Sequence, residues 1–240
     1  MRKALAYLWG TLLVLALWWL LAAALGSPAL PTPLATLPVL AEEAGAIWPH
    51  FWVSFGRIMA AMAIGTALGA PLGLLLGRSK RADALFGPVL YILYPLPKVV
   101  LLPVLFVLLG LGGEAKVTLI AIAVFFQMMV TMRDAAKAVP TPLLEAFWSL
   151  GATRWQGFCS VTVPLALPSL FTALRVTTGT AVALLFIAES MAGSTGLGYF
   201  IMHAWSVLEY KQMFAGIVAM AVMGVAIYEA FDLAERRLAR

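Results

Sequence analysis

Residues 145–164 read EAFWSLGATRWQGFCSVTVP and form a polar interruption in a chain that otherwise consists mainly of apolar runs. Gly151 is its seventh residue, and glycine is the residue that most readily takes the left-handed conformation at the end of a helix. Thr153, with Gln156 three residues later, fits a capping box that starts a second helix. The stretch therefore predicts two short helices joined at a glycine. Its expected exposed contact groups are Trp148, Arg154 and Trp155.

The residues around this stretch predict where the two helices begin and end. Thr141 followed by Pro142 fits a hydroxyl N-cap with proline at the first helical position. Glu145 then falls in the early turns, where a carboxylate interacts favourably with the helix dipole. Pro164 and Pro168 are expected to end the second helix before the next apolar run, because proline interrupts a helix.

The composition places most of the chain in lipid. Of its 240 residues, 63% are hydrophobic and 11% are charged, whereas a soluble domain has about 45–50% apolar and about 25% charged residues. The net charge of +5 comes from cations at the ends of apolar runs, so it indicates membrane topology rather than a nucleic-acid partner. The single cysteine, Cys159, excludes an intrachain disulfide and is expected to be a small packing residue. The chain has no phosphate-binding loop motif and no metal-spaced His/Cys cluster.

Six apolar runs are long enough to be membrane spans. They cover about residues 4–25, 51–77, 85–111, 116–132, 165–190 and 212–231. The first run is longer than the core of a signal peptide, so we interpret it as an uncleaved span. The proline-rich residues 26–50 predict an extended outer loop with a short interfacial helix near Pro38–Ile47, and residues 191–211 predict an outer re-entry loop.

Lysine and arginine are distributed unequally between the connections, and this predicts the orientation. The outside segments hold only Lys116 and Lys211. Cytoplasmic segments of membrane proteins carry the excess of basic residues, so both termini are expected in the cytoplasm. The inside group comprises Arg2, Lys3, Arg78, Lys80, Arg81, Arg133, Lys137, Arg154, Arg236, Arg237 and Arg240.

The second run carries a glycine at every fourth position, which forms a flat ridge on one helix face. Small residues at this spacing let a neighbouring helix approach closely, so we assign the ridge to helix packing. Its members are Gly65, Gly69, Gly73 and Gly77.

The third run is broken by prolines and contains a lysine at membrane depth, which indicates a translocation path. Irregular backbone in a membrane survives only where it is buried in protein or lines a cavity. Pro97 and Lys98 lie in the middle of the run, and Lys98 either attracts an anionic substrate, pairs with carbonyls at a proline break, or sits near an interface. Glu189 is assigned to a gate or to structural hydrogen bonding. Arg57 is expected to snorkel or to pair with an acid such as Glu189.

The polar interruption resembles the EAA loop of ABC importer permeases. The family pattern is Glu-Ala-Ala, three residues, Gly, nine residues and Ile-x-Leu-Pro; here Phe147 departs from the third position, and Val161 and Val163 are conservative replacements. The resemblance covers roughly residues 51–237 and is to the nitrate, sulfonate and taurine branch. Its other segments are RI at 57–58, YPLPK at 94–98, LLP at 101–103, LGLG at 109–112, AES at 188–190 and GLGY at 196–199.

The resemblance implies an all-α membrane protein with six transmembrane helices and the type I ABC importer permease fold. Residues 1–50 would be the first span and outer loop, residues 51–237 the permease core, and residues 134–165 a coupling loop with a cytoplasmic coupling helix. The residues that correspond to the family's ATPase-coupling positions, or lie beside them, are Glu145, Ala146, Gly151, Arg154, Trp155 and Pro164.

The same resemblance implies the partners. It predicts a second permease copy, identical or related, two ATP-binding subunits that hold ATP and magnesium, and a soluble binding protein. The chain itself would hold no cofactor, catalyse no reaction and lie in the bacterial cytoplasmic (inner) membrane. The expected solute is a small oxyanion, sulfonate or heterocycle. The alternative is a secondary transporter or channel without an ATPase, which would need ion-coupling carboxylates in its spans.

Overall fold

The computed structural model describes the backbone of residues 2–238 and the side chains of residue 5 and residues 7–237. Arg240, and the side chains of Arg2 and Lys3, which the charge count places inside, lie outside this described part. Within it the chain is all helical, without a strand. The helices are α1 (Arg2–Leu25), α2 (Pro33–Glu42), α3 (Ala44–Arg78), α4 (Lys80–Leu93), α5 (Leu102–Leu109), α6 (Gly113–Ala138), α7 (Thr141–Ser149), α8 (Arg154–Gly157), α9 (Val163–Met191), α10 (Leu197–Ser206) and α11 (Tyr210–Leu238).

The long apolar helices of the described residues match the runs predicted from the sequence. Five are long and apolar enough to cross a membrane: α1, α3, α6, the continuous stretch Arg154–Met191 and α11. The sixth candidate is the pair Lys80–Leu93 and Lys98–Leu109, whose two halves are bent by 84°. The predicted proline-broken third run is therefore present as a bent pair, although Pro88 lies inside α4 without breaking it.

The proline-rich residues 26–50 are more helical than predicted. The extended loop is wrong, and the short helix predicted near Pro38–Ile47 lies earlier, because α2 spans Pro33–Glu42 and α3 starts at Ala44. Thr32 caps α2: its Oγ1 accepts from Ala35 N at 3.3 Å. Pro33 follows in the first turn, where the N–H that proline lacks would have no helical acceptor.

The chain divides into two compact units. One comprises Met1–Ser54 with Glu189–Val222, and the other comprises Phe55–Ala188 with Met223–Arg240. In the first unit, Trp18 of α1 stacks on Phe214 of α11 with 5.5 Å between ring centroids. The Nε1–H of Trp18 donates to Pro31 O at 2.9 Å and so ties α1 to the chain before α2.

In the second unit, the glycine ridge of α3 lies against the backbone of α6. A Cβ placed on Gly65 would stand 2.6 Å from Val124 Cβ, which is closer than real contacts allow. At the other three ridge positions a Cβ would meet a backbone carbonyl oxygen of α6, those of Phe125, Met129 and Arg133. The absence of side chains at these four positions lets two long helices pack backbone to backbone.

Candidate functional site

The interhelical segment, residues 139–164, connects α6 to α9 and contains the polar stretch quoted above. Its first helix, α7, begins after Pro140, which is extended at φ −60° and ψ 126°. The predicted N-cap at Thr141 is wrong, because Thr141 already has helical geometry and α7 has no side-chain cap. Pro140 fixes the extended residue before the helix, and Pro142 falls in the first turn, where its missing N–H removes no helical bond.

The turn after α7 and the start of α8 confirm the sequence prediction. Gly151 has φ +87°, and its N–H donates to Trp148 O at 2.9 Å. Thr153 Oγ1 accepts from Gln156 N at 3.2 Å, while Gln156 Oε1 accepts from Thr153 N at 2.7 Å. A left-handed glycine and a complete capping box therefore fix the reversal between the two helices.

The second helix of the segment does not end at Pro164 or Pro168, contrary to the prediction. The four-residue α8 continues through a π-helical turn, Phe158–Thr162, directly into α9. Val163 N–H donates to Phe158 O, five residues back, immediately before Pro164. This wider turn shifts the hydrogen-bond register where proline lacks an N–H, so Arg154–Met191 is one helical stretch of 38 residues.

The inner face of the interhelical segment is packed. Val139, Leu144 and Val161 are buried together, with Phe147 and Trp148 packed against them. Trp148 was predicted to be exposed, but it is half-buried, and its Nε1 has no hydrogen-bond partner in the described part of the chain. A Cβ on Gly157 would lie 2.9 Å from that Nε1, so the glycine leaves room for the indole.

The outer face of the segment is exposed and partly apolar. Leu150 is 86% exposed and Trp155 is 67% exposed, and Trp155 stacks on Phe158. Cys159 is also exposed, so its prediction as a packing residue is wrong. The remaining predicted coupling residues, Glu145, Ala146, Gly151, Arg154 and Pro164, are exposed as well.

The bent segment, residues 94–101, holds Lys98 in a position defined by backbone carbonyls. Lys98 Nζ donates to Leu93 O at 2.8 Å, Tyr94 O at 2.8 Å and Leu96 O at 2.9 Å. Pro97 precedes it in an extended conformation. Lys98 thus pairs with carbonyls at the proline break, which is one of its three expected roles. Its ammonium also lines a cavity of about 300 Å³.

Glu189, in the last turn of α9, is 1% exposed, and its carboxylate lies at the start of α10. Its carboxylate accepts from Ser54 Oγ at 2.8 Å and from Gly198 N at 2.9 Å. Ser54 Oγ in turn accepts from Leu197 N at 2.8 Å. These contacts satisfy N–H groups in the first turn of α10 and place negative charge at the positive end of its dipole.

Arg57 lies half-buried on α3 in the second unit. Its Nε would be 3.5 Å from a Cβ on Gly113, the first residue of α6. The small residue at 113 therefore leaves space beside the guanidinium.

Several charged residues that the sequence reasoning did not single out form ion pairs in the second unit. Arg175 contacts Asp232 at 2.6 Å and Glu235 at 2.8 Å, and Asp232 also pairs with Arg236. Arg133 pairs with Asp83, which accepts from Lys137 as well. The sequence did contain a signal for the ion pairs of Arg175. This arginine lies inside an apolar run, and a charge in such a setting needs a partner.

No cluster of three or more His, Cys, Asp or Glu side chains suited to a metal ion occurs among the described residues. The geometry offers instead an exposed, partly apolar surface at the interhelical segment and a cavity at the bent segment.

Comparisons with known proteins agree with this geometry. Residues 65–240 match the family described as binding-protein-dependent transport system inner membrane component. The taurine transport system permease protein TauC of Escherichia coli (strain K12) is 32% identical over 239 residues, covering 95% of this chain and 87% of that protein. The putative aliphatic sulfonates transport permease protein SsuC of Bacillus subtilis (strain 168) is 30% identical, covering 99% and 88%. The formylaminopyrimidine transport permease protein ThiX of Halalkalibacterium halodurans is 26% identical, covering 95% and 92%.

The fold is similar to that of a solved transporter chain. A chain from the inward-facing MetNI methionine ABC transporter superposes with a TM-score of 0.69 at 22% identity, covering 82% of this chain and 99% of that chain. The predicted type I importer permease fold is confirmed by this match. The chain therefore belongs to the family of binding-protein-dependent transport system inner membrane components, and it is an ABC transporter permease rather than an enzyme.

Proposed function

We propose that this permease is driven by ATP-binding subunits that dock on the interhelical segment, residues 139–164. The observation that carries the proposal is the exposed apolar pair Leu150 and Trp155 on a reversal whose inner face is packed. Large apolar side chains that are exposed on one short connection are typical of a protein–protein contact. Glu145, Ala146, Gly151 and Arg154 would complete the surface.

The structure of the segment supports a mechanical role for it. Because α8, the π-helical turn and α9 form one helical stretch, a force applied at Arg154 or Trp155 would reach a membrane span without an intervening loop. Pro164 lies within that stretch. On the other side of Gly151, α7 is fixed through Leu144 to the buried cluster. Closure of the ATP-binding subunits would therefore tilt the span as a rigid lever.

The docking surface is tested with Leu150→Asp. A carboxylate in an apolar contact is costly, so we expect at least about tenfold less ATP-binding subunit in pull-downs of the tagged permease. Leu34→Asp in α2, where Leu34 is also highly exposed, is the matched control and should retain wild-type recovery. Unchanged recovery with both Leu150→Asp and Trp155→Asp would refute this surface. Solute uptake in liposomes without any ATP-binding subunit would support the secondary transporter or channel instead.

We further propose that the segment and both termini face the cytoplasm of a bacterial inner membrane. The single, exposed Cys159 tests this in the native protein. A membrane-impermeant maleimide should label Cys159 in inside-out vesicles and not in right-side-out vesicles. The reverse pattern would overturn the orientation.

The solute is proposed to be a small sulfonate or related oxyanion, delivered by a soluble binding protein on the outer side. The names of the Escherichia coli and Bacillus subtilis relatives support this class, and the Halalkalibacterium relative points to a heterocycle as the second candidate. Two permease copies would enclose the path, with ATP and magnesium held by the partner subunits.

Glu189 and Arg57 are proposed to stabilise the outer part of the permease. Glu189 caps α10 through Gly198 N and Ser54, so its loss would free α10 from α9 and α3 within the first unit. Ser54→Ala is the milder variant, and it should lower thermal stability less than Glu189→Ala.

A further inference from the structure

The cavity at the bent segment is lined by residues of that segment and of the helices α6 and α9. It has a volume of about 300 Å³, which is the lower end of the range for small-molecule sites. Its wall combines apolar side chains with one ammonium, one phenol, one amide and one hydroxyl. The described lining residues are Tyr94, Leu96, Lys98, Ala123, Phe126, Gln127, Thr180 and Leu184.

The cavity carries one positive charge that no carboxylate of the described residues offsets. Lys98 donates its three N–H bonds to carbonyl oxygens, which orient the ammonium but leave its full charge. The Phe126 ring, with its centroid 4.9 Å from Nζ, covers another side. Neither Asp nor Glu is among the described lining residues. A charge at membrane depth interacts strongly with any anion that enters, because the dielectric constant there is low.

The polar groups of the cavity wall leave one amide hydrogen of Gln127 available to a bound ligand. Tyr94 OH donates to Gln127 Oε1 at 2.8 Å, which orients the amide. Gln127 Nε2 donates one hydrogen to Thr131 Oγ1 at 3.4 Å and has no second acceptor among the described residues. Thr180 adds a hydroxyl from α9. A compact oxyanion needs both a positive charge and several such donors.

We propose that Lys98, Gln127 and Thr180 form a transient binding site for the anionic group of the transported solute. The ligand class is a compact monovalent oxyanion such as a sulfonate or carboxylate. Lys98 supplies fixed charge, Gln127 and Thr180 supply hydrogen bonds, and Tyr94 positions Gln127. The assignment of this ligand to transport rests on the function proposed above. A site on a path has to be weak, because the solute must leave it in each cycle.

The test uses Gln127→Glu, which is nearly isosteric and leaves the carbonyl contacts of Lys98 in place. The full-length permease is placed in nanodiscs at pH 8 with trifluoromethanesulfonate as the anionic probe, and the ¹⁹F line broadening is measured. The glutamate neutralises the charge of the cavity, so we expect at least about a fivefold loss of the wild-type broadening. Gln127→Leu removes one proposed hydrogen bond but adds no charge, so its loss of broadening should be smaller, about twofold.

The neutral probe 2,2,2-trifluoroethanol distinguishes charge from shape. Its broadening should be the same in the wild type and in Gln127→Glu. Equal trifluoromethanesulfonate broadening in these two proteins would overturn the proposal, and so would an equal loss for both probes. Retention of the wild-type gel-filtration profile verifies that each variant is folded. The measurement needs no ATP-binding subunit. Unchanged pull-down recovery with Leu150→Asp and Trp155→Asp would therefore refute the proposed docking surface without affecting this result.

Discussion

A pair of prolines occurs in an apolar setting both in the bent segment and where the interhelical segment joins α9, but the chain responds differently. At the bent segment, Pro95 and Pro97 are two residues apart, and the helices on either side are bent by 84°. At the end of the interhelical segment, Pro164 and the following Pro168 are four residues apart, and the helix continues past both. The spacing of prolines, and not their number, separates the two outcomes.

The difference lies in what compensates for the missing N–H groups. Prolines two apart remove neighbouring donors, and three carbonyl oxygens then accept from the ammonium of Lys98. Prolines four apart lie about one turn apart, and a single π-helical turn, Phe158–Thr162, shifts the register before the first of them. The bend is thus capped by the side chain of one nearby cation, whereas the continuous helix compensates through its own backbone.

The largest effect is expected from Lys98→Met, which removes the donor for three carbonyl oxygens in a membrane. Unsatisfied polar groups at such depth are costly, so we expect a loss of about 3–5 kcal/mol in stability. The measurement is thermal unfolding in detergent. Lys80→Met, at an exposed lysine that starts α4, should change stability by less than about 0.5 kcal/mol. If the two variants unfold alike, the bend does not depend on Lys98.

The next effect concerns the packed side of the interhelical segment. Trp148→Ala removes a half-buried indole from the cluster of Leu144 and Val161, and we expect a loss of about 2 kcal/mol, less than for a fully buried ring. Trp148→Phe keeps most of the packing and removes an Nε1 that has no partner among the described residues. It should cost less than about 1 kcal/mol. Equal losses in thermal unfolding would show that the indole nitrogen, rather than packing, stabilises the segment.

A smaller effect is expected from Gly151→Ala, which forces a side chain into a left-handed backbone at φ +87°. The cost is about 1 kcal/mol, because a Cβ there would meet no other atom within 4 Å. Gly56→Ala, inside α3 and equally uncrowded, should be neutral or stabilising. If Gly56→Ala destabilised the protein more than Gly151→Ala, the left-handed backbone would not be the reason that position 151 favours glycine.

The smallest effect is expected from Pro164→Ala. The π-helical turn already accommodates the missing N–H, so the change in stability should be below about 1 kcal/mol. Thermal unfolding gives the magnitude, and Pro97→Ala in the bent segment is the comparison. A larger loss of thermal stability for Pro164→Ala than for Pro97→Ala would contradict the view that the two segments compensate differently for their prolines.

Much of the fold and of the interhelical segment could be predicted from the sequence, because the signals are local. The six apolar runs, the left-handed Gly151 and the capping box of Thr153 and Gln156 each depend on residues within one helix or turn. The EAA-like spacing identified the family for the same reason.

The tertiary structure decided what depends on partners distant in the sequence or on competing local options. The residue that precedes α7 is Pro140 rather than Thr141, and a π-helical turn compensates for the N–H that Pro164 lacks. Local propensities could not predict either outcome, because they do not indicate which of two compatible backbones packs better. Trp148 is half-buried through contacts with Leu144 and Val161. Arg175 has its partner Asp232 57 residues away.

The sequence by itself determined that this protein crosses a membrane and reverses at Gly151, since composition and local residue patterns suffice for that, and the resemblance to the EAA loop indicated a permease. Only the tertiary structure decided that Lys98 both caps a bend and charges a cavity. The reason is physical: the carbonyls that hold the ammonium are local, but the cavity wall at Gln127 and Thr180 comes from helices brought together by packing.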